Sequence, residues 1–350
     1  MTAIEQSPRP AQDARAASPA SRAAFRDLTR AARSTFAESV GAGLLQPRAR
    51  LPAALFYDPL GSALFAAICE LPEYYPTRTE RAIFARHGAE IGALLGAGGT
   101  LVDLGAGDCR KAESLFAALR PARYVAVDVS VDYLRGALDA LAQRHGDIEM
   151  LGVGVDFAAG LRLPETVSRR ARTFFYPGSS IGNFDPPEAA AFLAGLREQA
   201  GEDGALLIGV DLVKPADVLE RAYDDALGVT AAFNLNALVH ANRVLGADFE
   251  PRGWRHVARF DAPASRIEMH LEARGATVVR WPGAQRRFEP GERIHTENSY
   301  KYTPEGFEAM LRRAGWRAAR RYVDAQGLFA VFCARAAAAG FDTVRTGAGA

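Results

Sequence analysis

Between Gly99 and Val210, short β-rich runs alternate with Ala- and Leu-rich stretches of helical character. The candidate strands are Thr100–Leu104, Tyr124–Val127, Glu149–Val155, Thr173–Tyr176 and Ala205–Val210. Candidate helices separate them at Arg110–Leu119, Val131–Arg144 and Pro187–Ala200, the last with a proline near its first turn, where a missing N–H costs little. This rhythm predicts βαβ units around a parallel sheet. After Val210 it changes. Lys214–Arg243 reads as helix, and Trp254–Lys301 as several strands with turns at Asp261–Ala264 and Pro282–Gly283. A helix over Pro304–Ala314 and strands at Trp316–Val323 and Leu328–Ala334 then return the chain to the first sheet as an antiparallel edge pair. The block Phe36–Thr77 precedes the first parallel strand and is placed with the later block in a second lobe.

With 350 residues the chain is long enough for two ordinary domains, and 49% hydrophobic with 24% charged residues is ordinary for a globular protein. The 42 Lys and Arg nearly cancel the 41 Asp and Glu, and no basic stripe is interleaved with aromatics, so nucleic acid is not an expected partner. Residues 1–22 are rich in Ala, Ser, Pro and Arg without an apolar core and are read as a disordered tail; 338–350 are read as a loose C-terminal tail. No apolar run reaches the roughly 18 residues of a membrane span, so a cytoplasmic protein is expected. Cys69, Cys109 and Cys333 are odd in number and lack CxxC spacing, which reads as reduced thiols and no metal site.

Candidate chemistry begins at Thr100–Asp108, an apolar strand running into the turn Gly105-Ala-Gly107. In a doubly wound sheet such a turn lies at the carboxyl end of the first strand, where ligands bind, and glycine lets the backbone approach closely. A dinucleotide fingerprint would need a third glycine where Arg110 stands, which disfavours a pyrophosphate. Asp103 at the strand end suits a cationic ligand better. Asp128 ends the second strand at the usual place for a carboxylate that binds ribose hydroxyls, and Asp156-Phe157 ends the third, where an acid and an aromatic can hold an adenine. The combination fits S-adenosylmethionine, an adenosine carrying a sulfonium instead of phosphates. Lys111 is either an exposed cation of the first helical turn or the partner of the cofactor's methionine carboxylate.

Several longer blocks are more specific: Leu55-Phe-Tyr-Asp-Pro-Leu-Gly-Ser-Ala-Leu-Phe65, Leu71-Pro-Glu-Tyr-Tyr-Pro-Thr-Arg-Thr-Glu80, Gly178-Ser-Ser-Ile-Gly-Asn183, Tyr223-Asp-Asp225 and Thr296-Glu-Asn-Ser299. Together they resemble the histidine-specific Nα-methyltransferases of ergothioneine biosynthesis, over about Leu51 to Ala334. The resemblance implies an α/β fold: a Rossmann-like class I methyltransferase domain (78–212 and 302–337) whose parallel sheet carries an antiparallel edge pair, and a smaller α+β substrate-binding lobe (23–77 and 213–301). It implies three methyl transfers from S-adenosyl-L-methionine to the α-amino group of L-histidine, giving hercynine and S-adenosyl-L-homocysteine. By the same resemblance, Tyr57, Gly105, Lys111, Asp128, Asp156 and Phe157 serve the cofactor. Tyr74, Asn183 and Tyr223 hold the amino acid's carboxylate, Glu297 and Ser299 contact the imidazole, and Met269 lines the ring pocket. Tyr57, Tyr223 and Asn183 are the expected catalytic set. Ser180 departs from the threonine common in the family but keeps a hydroxyl.

These residue types suit the chemistry. A neutral imidazole offers one donor and one acceptor, which a carboxylate and a hydroxyl can meet; if Thr296–Tyr300 is extended, Glu297 and Ser299 share one face. Tyrosine rings attract the developing methylammonium cation. None of the six histidines has a spacing that marks it as catalytic, and the amine is expected to lose its proton to water or a weak local acceptor. The expected partner is free histidine with its mono- and dimethyl forms, met by a monomer. The alternatives are a methyltransferase of the same architecture acting on another aromatic amino acid or small amine, a non-catalytic cofactor-binding module, and an NAD-dependent oxidoreductase.

Overall fold

A computed structural model describes residues 23–29, 33–157 and 160–337; both expected tails lie outside the described residues. In chain order the elements begin with β1 (Ala24–Asp27), α1 (Arg33–Leu44), α2 (Pro59–Ile68) and α3 (Tyr75–Leu95). The alternating section holds β2 (Thr100–Leu104), α4 (Arg110–Glu113), α5 (Phe116–Leu119), β3 (Arg123–Asp128), α6 (Val131–Arg144), β4 (Glu149–Gly154), β5 (Arg172–Tyr176), α7 (Pro186–Ala200) and β6 (Ala205–Asp211). Then come α8 (Ala216–Tyr223), α9 (Val229–Leu245), β7 (Trp254–Asp261), β8 (Arg266–Ala273), β9 (Thr277–Trp281), β10 (Ala284–Phe288) and β11 (Arg293–Tyr300). The chain closes with α10 (Pro304–Arg313), β12 (Trp316–Val323) and β13 (Phe329–Ala336).

Every residue of β2 and β6 is buried, which parallel strands require when helices cover both faces of their sheet. The eight-stranded sheet has the order β1-β4-β3-β2-β5-β6-β13-β12, parallel except that β13 runs antiparallel to both β6 and β12. Successive strand positions feed opposite faces: Val102, Val125, Phe174 and Ile208 pack with α7 and α10, while Leu101, Tyr124, Phe175 and Leu207 pack with α3 and α6. Helix α6 shows why it docks, since Leu134, Leu138 and Leu141 form one buried stripe at helical spacing. From β2 the chain builds first toward β3 and β4, then toward β5 and β6 on the other side. That reversal opens a crevice outside the carboxyl ends of β2 and β5.

A second apolar cluster joins the N-terminal block to the later block through Leu44, Phe56, Phe233, Leu238, Ile267 and Leu271. It includes the three-stranded antiparallel sheet β11-β8-β7, with the β9-β10 hairpin alongside. Two expectations need correcting. Ala24–Asp27, placed by sequence with the substrate lobe, instead lies parallel beside β4 at the edge of the large sheet, where the Arg135 guanidinium sits 4.0 Å over the Phe25 ring. The single helix expected over Lys214–Arg243 is two, because the Asp225 carboxylate accepts from the N–H groups of Val229 (3.0 Å) and Thr230 (2.7 Å) and starts α9 afresh.

Candidate active site

The turn after β2 forms an open cradle. Gly105 and Gly107 have φ of 74° and 53°, the left-handed region that side chains disfavour. A Cβ built on Gly107 would meet nothing within 4 Å, and one on Gly105 only the Phe157 ring at 3.9 Å. Asp128, at the end of β3, accepts from the Gly107 N–H (2.9 Å) and the Ser130 N–H (2.8 Å), which fixes the carboxylate beside the turn. Burial raises its pKa, and these N–H groups pull against that rise. Asp156 and Phe157 follow β4 half-buried, with Phe157 edge-on to Tyr176 at 5.8 Å. Asp103 differs from expectation. Its carboxyl is buried, accepts from the Tyr124 hydroxyl at 2.7 Å and is pushed up to about 7 by burial, so it brings less negative charge to a cationic ligand than a free strand-end acid would.

Lys111 does not stand free. Its ammonium donates to Glu80 of α3 at 2.8 Å, and the other Glu80 oxygen accepts from the Gly178 N–H, also at 2.8 Å. Desolvation lowers the Lys111 pKa, but the Glu80 carboxylate outweighs it and holds the group charged. Glu80 can lie this deep because residue 209 is glycine: a Cβ there would sit 2.1 Å from the carboxylate oxygen.

Across the crevice, Glu297, Ser299 and Lys301 succeed one another at every second position of β11 and its continuation, and Met269 pairs opposite Glu297 on β8. The Ser299 and Tyr223 hydroxyls are 2.7 Å apart. Lys301 is fully buried, forms an ion pair with Asp211 at 2.8 Å and donates to Ser299 (2.7 Å) and Tyr223 (3.1 Å). Asp211 ends β6, so this contact ties β11 to the carboxyl edge of the large sheet. Asp211 also accepts from the Tyr75 hydroxyl and from Lys214, and the two lysines hold it below the usual carboxylate range against its burial.

An aromatic wall links the two sides. Tyr57 packs edge-on to Phe65 (6.1 Å) and Phe233 (6.0 Å), Phe65 to Tyr74 (6.2 Å), and Tyr74 to Tyr223 (6.3 Å). Burial lifts the Tyr57 hydroxyl well above its ordinary pKa, and the charges of Glu297 and Asp128 lift it further. The Tyr74 and Tyr223 hydroxyls are likewise raised, by burial first and by Glu297 among the charges. Glu297 itself is half-buried and pushed up to about 7 by desolvation, with Lys301 pulling the other way. Asn183 is exposed, on a 3-10 turn over Ser180–Asn183 that packs so closely on β11 that a Cβ at Gly182 would lie 2.8 Å from the Tyr300 carbonyl oxygen.

Glu80, Asp211, Lys301, Tyr75, Phe65 and Phe233 belong to this constellation and were given no role by sequence. Two had a readable signal. Asp211 is a further acid at the end of a candidate strand, and Lys301 continues the two-residue series of Glu297 and Ser299.

A profile described as "Histidine-specific methyltransferase, SAM-dependent" matches residues 36–336. The chain is 43% identical over 296 residues to the histidine N-alpha-methyltransferase of Mycolicibacterium smegmatis, covering 83% of this chain and 91% of that protein. Identity to the protein of the same name from Mycobacterium tuberculosis is 40%, with the same coverage. The ergothioneine biosynthesis protein 1 of Neurospora crassa is 32% identical over 278 residues, 76% of this chain and 31% of that larger protein.

Proposed function

Since the chain belongs to the family of histidine-specific, S-adenosylmethionine-dependent methyltransferases, we propose that it methylates the α-amino group of L-histidine three times, giving hercynine for ergothioneine biosynthesis. The observation that carries this reading is the placement of Tyr57: its carbonyl accepts from Ser130 of the loop after Asp128 on the glycine-turn side, and its ring begins the aromatic wall that runs through Phe65 and Tyr74 to Tyr223, the partner of Ser299 on the β11 side. A nucleoside bound on the first side and an imidazole bound on the second meet at that tyrosine.

The cradle fits the cofactor. Open space above Gly105 and Gly107 admits it, Asp128 offers carboxylate oxygens to ribose hydroxyls, and Asp156 with Phe157 takes the adenine. Lys111, kept charged by Glu80, pairs with the methionine carboxylate. When bound, S-adenosylmethionine supplies the methyl group on a sulfonium, an electrophile for an amine lone pair. The chain's own residues supply orientation and charge stabilisation. Tyr74, Asn183 and Tyr223 hold the substrate carboxylate, Glu297 and Ser299 bracket the imidazole, and Met269 lines the ring. Because burial keeps the hydroxyls of Tyr57, Tyr74 and Tyr223 protonated, Tyr74 and Tyr223 donate to the carboxylate, and Tyr57 orients the amine by accepting from an amine N–H, which leaves the lone pair free, rather than acting as a strong base. Water takes the amine proton, and aromatic faces hold the growing methylammonium.

The same reading makes the enzyme a cytoplasmic monomer acting on a free amino acid; no helix among the described residues is long and apolar enough to cross a membrane. Mass spectrometry of a reaction with histidine and S-adenosylmethionine should show products gaining one, two and then three methyl groups. Equal turnover of tryptophan or tyrosine, or no methylation of histidine, would overturn the proposal.

A further inference from the structure

Tyr223, read above as a donor to the substrate carboxylate, closes α8, and its carbonyl is among the last four of that helix, which no N–H of the helix itself can reach. The His256 ring of β7 meets that carbonyl with Nε2 at 2.8 Å. On the other side of the ring, Nδ1 lies 2.8 Å from the side-chain amide nitrogen of Asn234 on α9. The same nitrogen lies 3.0 Å from the His270 carbonyl oxygen of β8. Asn234 is wholly buried, and the His256 side chain is 2% exposed.

Only one arrangement of hydrogens serves all three contacts. A carbonyl oxygen can only accept, so the His270 carbonyl requires the nitrogen of Asn234, not its oxygen, at that position. The second N–H of the amide then points at His256 Nδ1, which must be bare. A neutral imidazole carries its one proton on the other nitrogen, so Nε2–H donates to the Tyr223 carbonyl. Turning the amide over would set two oxygens against each other at His270. It would also draw the ring proton to Nδ1 and leave a bare Nε2 facing the Tyr223 oxygen. Asp224 does not compete for the Nε2 proton, since its nearer oxygen is 4.0 Å away. Burial lowers the pKa of His256, with the Tyr223 carbonyl, Asp224 and Asp225 pulling the other way, and the ring stays neutral.

We propose that His256, its tautomer set by Asn234, is a positioning residue that holds the backbone of Tyr223 so that the tyrosine meets the substrate carboxylate. This rests on reading the crevice as a histidine site. The hydroxyl end of Tyr223 is tied to β11 and its continuation through Ser299 and Lys301, and the ring lies edge-on to Tyr74 at 6.3 Å. The His256 bond ties the backbone end to β7, at the opposite edge of the same three-stranded sheet. Tyr223 therefore spans a fixed gap. Held at the hydroxyl alone, it could tilt with the end of α8, and a binding group moved off line loses much of its hold on the substrate.

Two amide side chains separate the two bonds of His256. Glutamine reaches as far as Nε2 and can still donate to the Tyr223 carbonyl, whereas asparagine reaches only as far as Nδ1, which keeps a partner for Asn234 and leaves that carbonyl without its donor. His256→Asn should raise KM for histidine by about three- to ten-fold, the net worth of one hydrogen bond, with kcat within about two-fold of wild type. His256→Gln should hold KM within about two-fold of wild type. In a Tyr223→Phe background, His256→Asn should move KM no further, because the hydroxyl it aims is gone. Equal effects of asparagine and glutamine, or the full loss repeated without the Tyr223 hydroxyl, would make His256 merely structural and overturn the proposal. The wild-type protein gives a second reading that needs no folded variant: 15N spectra should show the His256 ring protonated at Nε2 and bare at Nδ1, and a proton on Nδ1 would also overturn it. Failure of wild type to methylate histidine would sink the reading beneath as well, whereas methylation with the two variants alike sinks the positioning role alone.

Discussion

Glu297 carries the clearest pH signature of any single residue. Burial raises its carboxyl to about 7, so in the free enzyme it is neutral below that pH and a charged acceptor above it. Only the charged form accepts strongly from an imidazole N–H. Because kcat/KM reports the free enzyme and free substrate, it should fall as pH drops through about 7. The substrate's own imidazole adds a second inflection near about 6.5. In Glu297→Gln the first inflection should vanish and the second persist, with kcat/KM at pH ~8 reduced by about ten- to a hundred-fold for the weakened acceptor. A variant profile that keeps both inflections would assign the one near 7 to another group. Glu80 makes a different point about single residues. It lies within one of the sequence blocks that carried the family resemblance, yet its partners Lys111 and Gly178 are 31 and 98 residues away and no local pattern announces them. Glu80→Gln removes the charge that compensates Lys111. Since the lysine side chain is 36% exposed, the loss should be about 1–3 kcal/mol, below the range for a fully buried pair. Thermal denaturation would read that loss, and calorimetry should show S-adenosylhomocysteine binding several-fold more weakly. Unchanged binding would remove Lys111 from the cofactor site.

Among the elements, strands buried on both faces were legible because their apolar runs are uninterrupted, whereas β1 was not. Its four residues alternate between exposed and half-buried, and only its pairing with β4 makes it a strand. The β8 strand shows what alternation does not reveal. Ile267, Met269 and Leu271 face the core, while Glu268, His270 and Glu272 on the opposite face are covered by Arg255, Arg259, Arg266 and Arg293. Within that ladder His270 contacts Glu268 at 3.0 Å, yet burial dominates and lowers its pKa to about 4. The folded ring thus resists a proton that the unfolded chain accepts near about 6.5. With more protons bound in the unfolded state, stability falls as pH drops from about 6.5 toward about 4, by up to about 3 kcal/mol from this group. Glu268, held down from 4.5 to about 2, stays ionised in the folded state throughout that window; its own contribution begins to be lost near 4.5, where the unfolded carboxyl takes up a proton, and is gone as pH falls toward 2. Melting temperature plotted against pH should therefore be flatter between about 6.5 and 4.5 in His270→Asn than in wild type. His256 and His295 are shifted the same way, so the slope should shrink without vanishing. An identical slope in the variant would place the acid sensitivity outside this sheet.

On the scale of the whole molecule, the order of the large sheet follows from local rhythm and the handedness of βαβ connections, but the assembly of the crevice does not. Nothing periodic in the sequence says that Tyr57 is tied to the loop after Asp128; the resemblance assigned Tyr57 to the cofactor, and the contacts give the means. Ser130, two residues after Asp128 in the loop after β3, donates through its Oγ to the Tyr57 carbonyl at 3.0 Å and lies 3.3 Å from the Ser62 hydroxyl of α2. The loop that shapes the cofactor cradle therefore also holds the N-terminal block whose aromatic residues wall the substrate side. A ligand that orders this loop reduces what the second ligand must order, and such coupling is reciprocal. Histidine should bind more tightly, by about five-fold or more, when S-adenosylhomocysteine is present, and S-adenosylhomocysteine more tightly by the same factor with histidine. Calorimetric titration in both orders measures the two factors independently. Ser130→Ala should bring both factors toward one, because it removes the Oγ bond to the Tyr57 carbonyl that ties the loop to the N-terminal block. If wild type binds histidine equally well with and without the thioether, the loop is a rigid hinge post between independent sites, and Tyr57 serves them separately.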